Sequence, residues 1–203
     1  MDPWILLALL LAAAGAVLAL QRLRRRRAPV SALLERTLFN LRVGDIVQLD
    51  GRDWVVEDRL CYEDSGAQWL EYLLRDGADA RWLCVEEDDW LEVSWLEPAP
   101  VELVRQVLEG GNPRPKTLLW EGISYGLRER GRASLTASAR TLNRRVGWCH
   151  YGDYEGAEGR VLSVEIWGQG DTSNPEDLEV TLGRRINPDL VGLLPGDGRS
   201  VYR

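Results

Sequence analysis

Residues Trp69–Glu86 and Trp148–Glu165 align without a gap at a shift of 79, and eight of the 18 positions are identical. Chance gives about one match in such a window. The identities are Trp69/Trp148, Tyr72/Tyr151, Gly77/Gly156, Ala78/Ala157, Arg81/Arg160, Leu83/Leu162, Val85/Val164 and Glu86/Glu165. Asp76/Glu155 and Asp79/Glu158 match acid for acid. Each copy reads as strand, glycine turn, strand. One hairpin cannot bury an apolar face, whereas two copies can cover each other. The expected fold is therefore mainly β: two repeated antiparallel β-meander units forming a sandwich or partly open barrel with pseudo-twofold symmetry. The duplicated domain is placed at 40–198, with halves at about 40–97 and 115–198.

The flanking sequence supports this. Asp45–Leu49 and Trp54–Glu57 are strand-like runs around the turn Asp50-Gly51-Arg52-Asp53. Gln68–Leu74 and Arg81–Val85 flank Arg75-Asp76-Gly77, and Leu91–Trp95 alternates again. Val101–Leu108 fits a helix or a strand, and Gly110-Gly111-Asn112-Pro113 is a break. Strand character returns from Thr117 to about Gly183. Asn187 reads as the cap of a short final helix.

Period-two alternation puts Leu83/Leu162 and Val85/Val164 on one face, as core. Trp82, Cys84 and Glu86 share the other face, as do Val161, Ser163 and Glu165. Glu86 and Glu165 either face each other across the twofold axis or sit at strand ends in separate ion pairs with arginines. A candidate inter-repeat site gathers Glu86, Glu165, Trp69, Trp148, Tyr72 and Tyr151. The aromatics read first as large core residues with a polar tip. The other reading is an aromatic pocket for a cation.

The N-terminus differs from the body. Pro3–Leu20 is 18 residues without a charge, which as a helix spans about 27 Å, near the thickness of a hydrocarbon core. Arg22, Arg24, Arg25, Arg26 and Arg27 follow it. Residues 1–21 are thus expected to be a transmembrane anchor and 22–39 a basic juxtamembrane linker. The arginines set topology and meet lipid headgroups, with the N-terminus outside and the β domain cytoplasmic. A cleaved signal peptide would carry its positive charge before the apolar run. Ala8, Ala12 and Ala16 share one helical face, either as a helix-packing stripe or as the chance product of an Ala/Leu-rich segment. Ser31 is a candidate cap for a short helix at Ala32–Glu35.

The stretches Val43–Val47, Trp69–Tyr72, Trp82–Glu86, Trp120–Tyr125 and Leu162–Trp167 resemble the bacterial DUF4178 family over roughly residues 40 to 195. Its members have no assigned function. The resemblance implies a membrane-associated accessory role, since such domains are encoded near membrane-stress and polyamine-related proteins in some bacteria. It carries no catalytic residues to transfer.

The chain has a net charge of -7, and residues 1–27 carry five Arg and one Asp, so the rest is strongly acidic and unsuited to phosphate backbones. No nucleic-acid partner is expected. There is no P-loop, HExxH or CxxC. Cys149 and His150 are strand neighbours and point to opposite faces, so they cannot pair as nucleophile and base. Glu86-Glu87-Asp88-Asp89 lacks the register of a calcium loop and reads as a solvated turn. No catalytic residue, metal or cofactor is assigned. The expected function is a membrane-anchored, non-enzymatic binding or assembly module on the cytoplasmic side of a bacterial membrane. Its partners would be membrane lipid and a protein. The alternative is a polyamine- or small-molecule-binding accessory to an enzyme, and a third reading is an enzyme with its site between the repeats.

Overall fold

The computed structural model describes residues 35–110, 115–137, 147–167 and 177–196. Hairpins follow one another where glycine turns interrupt the alternating runs. The first half is β1 (Ile46–Leu49), β2 (Arg52–Asp64), β3 (Ala67–Asp76), β4 (Asp79–Glu87) and β5 (Leu91–Pro98). The helix α1 (Val101–Glu109) follows. The second half is β6 (Thr117–Trp120), β7 (Ile123–Ala137), β8 (Gly147–Glu155), β9 (Arg160–Trp167) and β10 (Leu178–Arg185), and β11 (Gly192–Leu194) ends the described chain. The ambiguous Val101–Leu108 run is the helix, because Leu103 and Val107, one turn apart, bury together. Asn187 Oδ1 accepts from the Asp189 backbone N–H at 3.0 Å and caps the short 3-10 turn Pro188–Leu190.

All eleven strands form one antiparallel sheet in the order β11-β1-β2-β3-β4-β5-β10-β9-β8-β7-β6, with a further pairing of β2 to β7. That pairing closes β2, β3, β4, β5, β10, β9, β8 and β7 into a ring of eight. The two seams are β2–β7, from Leu60↔Ala137 to Glu63↔Ser134, and β5–β10, from Pro98↔Thr181 to Ser94↔Arg185. Each seam joins one half to the other. β2 and β7 are long because each serves two neighbours on one edge. β2 pairs with β1 at Arg52–Val55 and with β7 at Leu60–Glu63. β7 pairs with β6 at Ile123–Gly126 and with β2 at Ser134–Ala137. Both strands break register once, between Val56 and Asp58 and between Leu127 and Glu129. An extra residue at such a bulge bends a strand and raises its twist, which a closed ring requires.

Three apolar clusters follow from this. One lies inside the ring and draws Leu60 and Tyr62, Leu73, Trp82, Leu96, Leu135, Cys149 and Trp167 from seven of its strands. The outer face of the first half, with Tyr72, Leu83, Val85 and Val93, packs against Leu38 and Leu41. The outer face of the second half, with Tyr154, Leu162, Val164 and Val180, packs against Leu103 and Val107 of α1. At about 1.5–3 kcal/mol per large apolar side chain, these clusters are the main favourable term holding the ring closed.

The expected fold class needs two corrections. The strands do not separate into the two stacked sheets of a sandwich: a single sheet runs through all of them, because β2 and β7 reach across and pair. The expected transmembrane helix has no counterpart: among the described residues no helix is long and apolar enough to cross a membrane, α1 having nine residues. Residues 1–21, the Ala8/Ala12/Ala16 face, Arg22, Arg24, Arg25, Arg26 and Arg27, and the short helix expected after Ser31 lie outside the described residues.

The two matched segments each form a hairpin, but their pairings do not keep one ungapped shift. β3 pairs with β4 as Trp69↔Glu86 and Tyr72↔Leu83. β8 pairs with β9 as Tyr151↔Glu165 and Tyr154↔Leu162. The second strands therefore keep the shift of 79, and the first strands are equivalent at a shift of 82. The hairpin lengths explain the difference. Sixteen residues lie between Trp69 and Glu86, and 13 between the equivalent Tyr151 and Glu165, so the second hairpin is three residues shorter. A slip of three is odd, and an odd slip exchanges the two faces of a strand.

Candidate functional site

One end of the ring interior is filled by the central cluster. Beside it opens a pocket containing about 890 Å³ of empty space, part of it open to solvent. Alternate residues of successive strands line it: Trp69 and Glu71 of β3, Cys84 and Glu86 of β4, Glu92, Ser94 and Leu96 of β5, Tyr151, Asp153 and Glu155 of β8, and Val161, Ser163 and Glu165 of β9. β7 adds Arg128 and Glu129, and β10 adds Arg185. Consecutive residues of a strand normally face opposite ways. Arg128 is the extra residue of the β7 bulge, so it and Glu129 both reach the pocket.

The wall carries seven carboxylates and two guanidiniums. Both guanidiniums are engaged. Arg128 grips Glu92 with two bonds, 2.7 Å from Nη1 to Oε2 and 3.1 Å from Nη2 to Oε1. Arg185 Nη2 lies 3.2 Å from Glu92 Oε2, and Arg185 also donates to both Glu155 oxygens at 3.1 and 3.3 Å. The Trp90 indole N–H donates to Glu92 Oε1 at 2.8 Å.

These contacts push neighbouring acids in opposite directions. Burial pushes the Glu92 carboxyl up, but the hydrogen bonds from Arg128 and Trp90 and the charges of Arg128 and Arg185 outweigh it and hold Glu92 below its ordinary range. Glu86 goes up: burial dominates, Arg128 offsets part of it, and Glu92, Glu129 and Asp88 add to it. Burial also raises the Cys84 thiol, and the charges of Glu71, Asp153, Glu86 and Glu165 add to it. Such a thiol is a poor nucleophile.

Two phenols tie the acids together. Tyr62 Oη lies 3.2 Å from Glu71 Oε2 and 3.2 Å from Glu165 Oε2. Tyr151 Oη lies 3.1 Å from Asp64 Oδ2 and 3.1 Å from Glu129 Oε1. Burial and then these two acids push the Tyr151 phenol far up, so it remains a donor. Trp69 sits between the rings, stacked on Tyr62 at 5.1 Å and edge-on to Tyr151 at 5.1 Å. Opposite β8, Gly131 leaves room for Tyr151: a Cβ there would stand 2.7 Å from the phenol oxygen.

Of the six candidate inter-repeat residues, the pocket brings together Glu86, Glu165, Trp69 and Tyr151. Trp148 is 50% exposed, with the Arg132 guanidinium 4.5 Å above its ring. Tyr72 is buried in the outer cluster of the first half, where its hydroxyl donates to the Leu38 carbonyl at 2.8 Å. Both stand outside because the two hairpins differ in length by three residues. In the true register Trp69 matches Tyr151 and Glu71 matches Asp153, so the pocket is lined by equivalent residues of both halves. Glu71, Glu92, Arg128, Glu129, Asp153 and Arg185 escaped the sequence reading. Glu71/Asp153 was detectable only by testing the shift of 82. Cys149 is fully buried, and no group of three metal-ligating side chains is assembled among the described residues.

Residues 42–188 match the family described as a domain of unknown function, DUF4178. The chain belongs to this family. It is 24% identical to an uncharacterized protein of Aquifex aeolicus over 170 residues, covering 81% of this chain and 88% of that one. It is 30% identical over 131 residues to uncharacterized proteins of Mycobacterium bovis and Mycobacterium tuberculosis, covering 61% of this chain and 59% of theirs. No solved structure matches it. The DUF4178 match runs from before β1 through β10 and so includes every strand that lines the pocket.

The Glu92 cluster gives a pH prediction. A carboxyl held low in the folded state stabilises the fold above its ordinary value of 4.5, and that contribution is lost as pH falls through the folded value. Glu92→Gln is expected to cost about 1–2 kcal/mol at neutral pH, allowing for partial solvent screening. Urea denaturation should show the gap from the unmodified protein closing as pH falls below 4.5 and through the lower folded value of Glu92. A gap that is the same at both pH values would remove Glu92 as the cause.

Proposed function

We propose that this DUF4178 domain is a binding module whose ring takes a small organic cation, of the polyamine class, into the pocket between its two halves. The observation that carries this reading is the lining: seven carboxylates against two guanidiniums already engaged by Glu92 and Glu155, around the indole of Trp69. Closed eight-stranded barrels have an interior suited to side chains or one small ligand. Carboxylate oxygens accept N–H bonds from an ammonium group, and the indole face offers a cation–π surface to its charge or its methylenes. Anions are disfavoured by the same wall.

The test is thermal denaturation with spermidine. Binding to the folded state alone stabilises by about 2.7 kcal/mol at a hundredfold excess over Kd. The expected result is a rise in Tm with spermidine, smaller with putrescine, and reduced by salt. Spermine's triply acetylated analogue, which has lost most of its charge, should produce little shift. Equal shifts with spermidine and with an uncharged polyol would defeat the reading.

A further inference from the structure

Tyr62 is fully buried, and its hydroxyl oxygen stands 3.2 Å from an oxygen of Glu71 and 3.2 Å from an oxygen of Glu165. A phenol has one proton to donate. It donates to one carboxylate. Its contact with the other is a hydrogen bond only when that carboxyl is protonated and donates to the phenol oxygen. Glu71 and Glu165 are 8% and 6% exposed, and two carboxylates this close in a buried site disfavour full ionisation.

We propose that Glu71 and Glu165 hold one proton between them through Tyr62, and that an organic cation entering the pocket displaces it. This rests on the cation-binding reading and adds its regulation: uptake is an exchange of a proton for a cation. The carboxyl O–H bond breaks, the proton leaves to solvent, and an N–H group of the ligand takes over as donor to the freed carboxylate. The charge of the site is unchanged for each ammonium that replaces a proton.

The groups around the pair favour this arrangement. Cys84 and Glu86 of β4, Glu92 of β5, Glu129 of β7, and Asp153, Glu155 and Tyr151 of β8 line the same pocket as the pair. The acids among them make a lone proton or a cation favourable. The positive charges of Arg128 and Arg185 oppose it, but both side chains are engaged at Glu92 and Glu155. The expected consequence is that acid competes with the ligand, so affinity falls as pH falls.

Infrared difference spectroscopy of the ligand-free protein tests the proton directly. A protonated carboxyl absorbs apart from ionised carboxylates, and that band should vanish in both Glu71→Gln and Glu165→Gln. Two variants guard against one failing to fold, and melting curves establish that they fold. A missing band in the unmodified protein, or a band that survives both substitutions, overturns the shared proton whether or not polyamines bind. The exchange is tested by calorimetric titration with putrescine at about pH 7 in phosphate and in Tris, whose ionisation heats differ. Release of about one proton per putrescine is expected, and a smaller release in Tyr62→Phe. Binding with no proton release overturns the exchange. Absence of any binding overturns the cation-binding reading itself, and with it the exchange, while the infrared band still decides whether the proton is shared.

Discussion

Replacing Glu86 and Glu165 together by Gln should weaken spermidine binding roughly 100-fold, about 3 kcal/mol. Both residues line the pocket, from equivalent positions on β4 and β9. A hydrogen bond to a charged partner contributes about 1.5–3 kcal/mol, and the substitution removes the charge while keeping the size. The fold should tolerate it well. Glu86 is pushed up by burial, so its charge is a burden to the folded state that Gln relieves. Glu86→Gln alone should therefore melt no lower than the unmodified protein at neutral pH, and the double variant should lose the ligand-induced rise. Calorimetric titration gives the affinity, and a loss below about threefold would remove these two carboxylates from the site.

Leu83→Ala and Leu162→Ala should each destabilise by about 2–5 kcal/mol. The two residues occupy matching positions in the two halves, and are 0% and 1% exposed. Each leaves a cavity in a different cluster, Leu83 under Leu38 and Leu41, and Leu162 under α1. Sites without shared neighbours add, so the double variant should cost nearly the sum. Domains of this kind have about 5–15 kcal/mol in all, so the double variant should be largely unfolded at room temperature. Urea denaturation of the three variants checks this. A double variant no worse than the weaker single one would mean that the clusters are not independent.

Much of this molecule is legible in its chain. The Gly77 and Gly156 turns, the alternation around them and the matched Leu83/Leu162 and Val85/Val164 pairs place the β4 and β9 core faces correctly. Those strands follow their turns at a common shift. Trp148 and Tyr72 were drawn toward the site by identity alone, and identity does not report which way a strand faces. Arg128 and Glu129 were invisible for a related reason: alternation puts neighbours on opposite faces, and only the β7 bulge turns both inward.

The sequence by itself determined the elements, the duplication and the family, because turn chemistry and period-two burial are local properties of a chain. The tertiary structure decided which acids meet. The ring closes through β2 and β7, whose paired residues Tyr62 and Leu135 are far apart in sequence. Only that closure, together with a second hairpin three residues shorter than the first, brings Glu71, Glu86, Asp153 and Glu165 around one cavity. No local rule encodes it, because the energy that selects it comes from burying both halves at once.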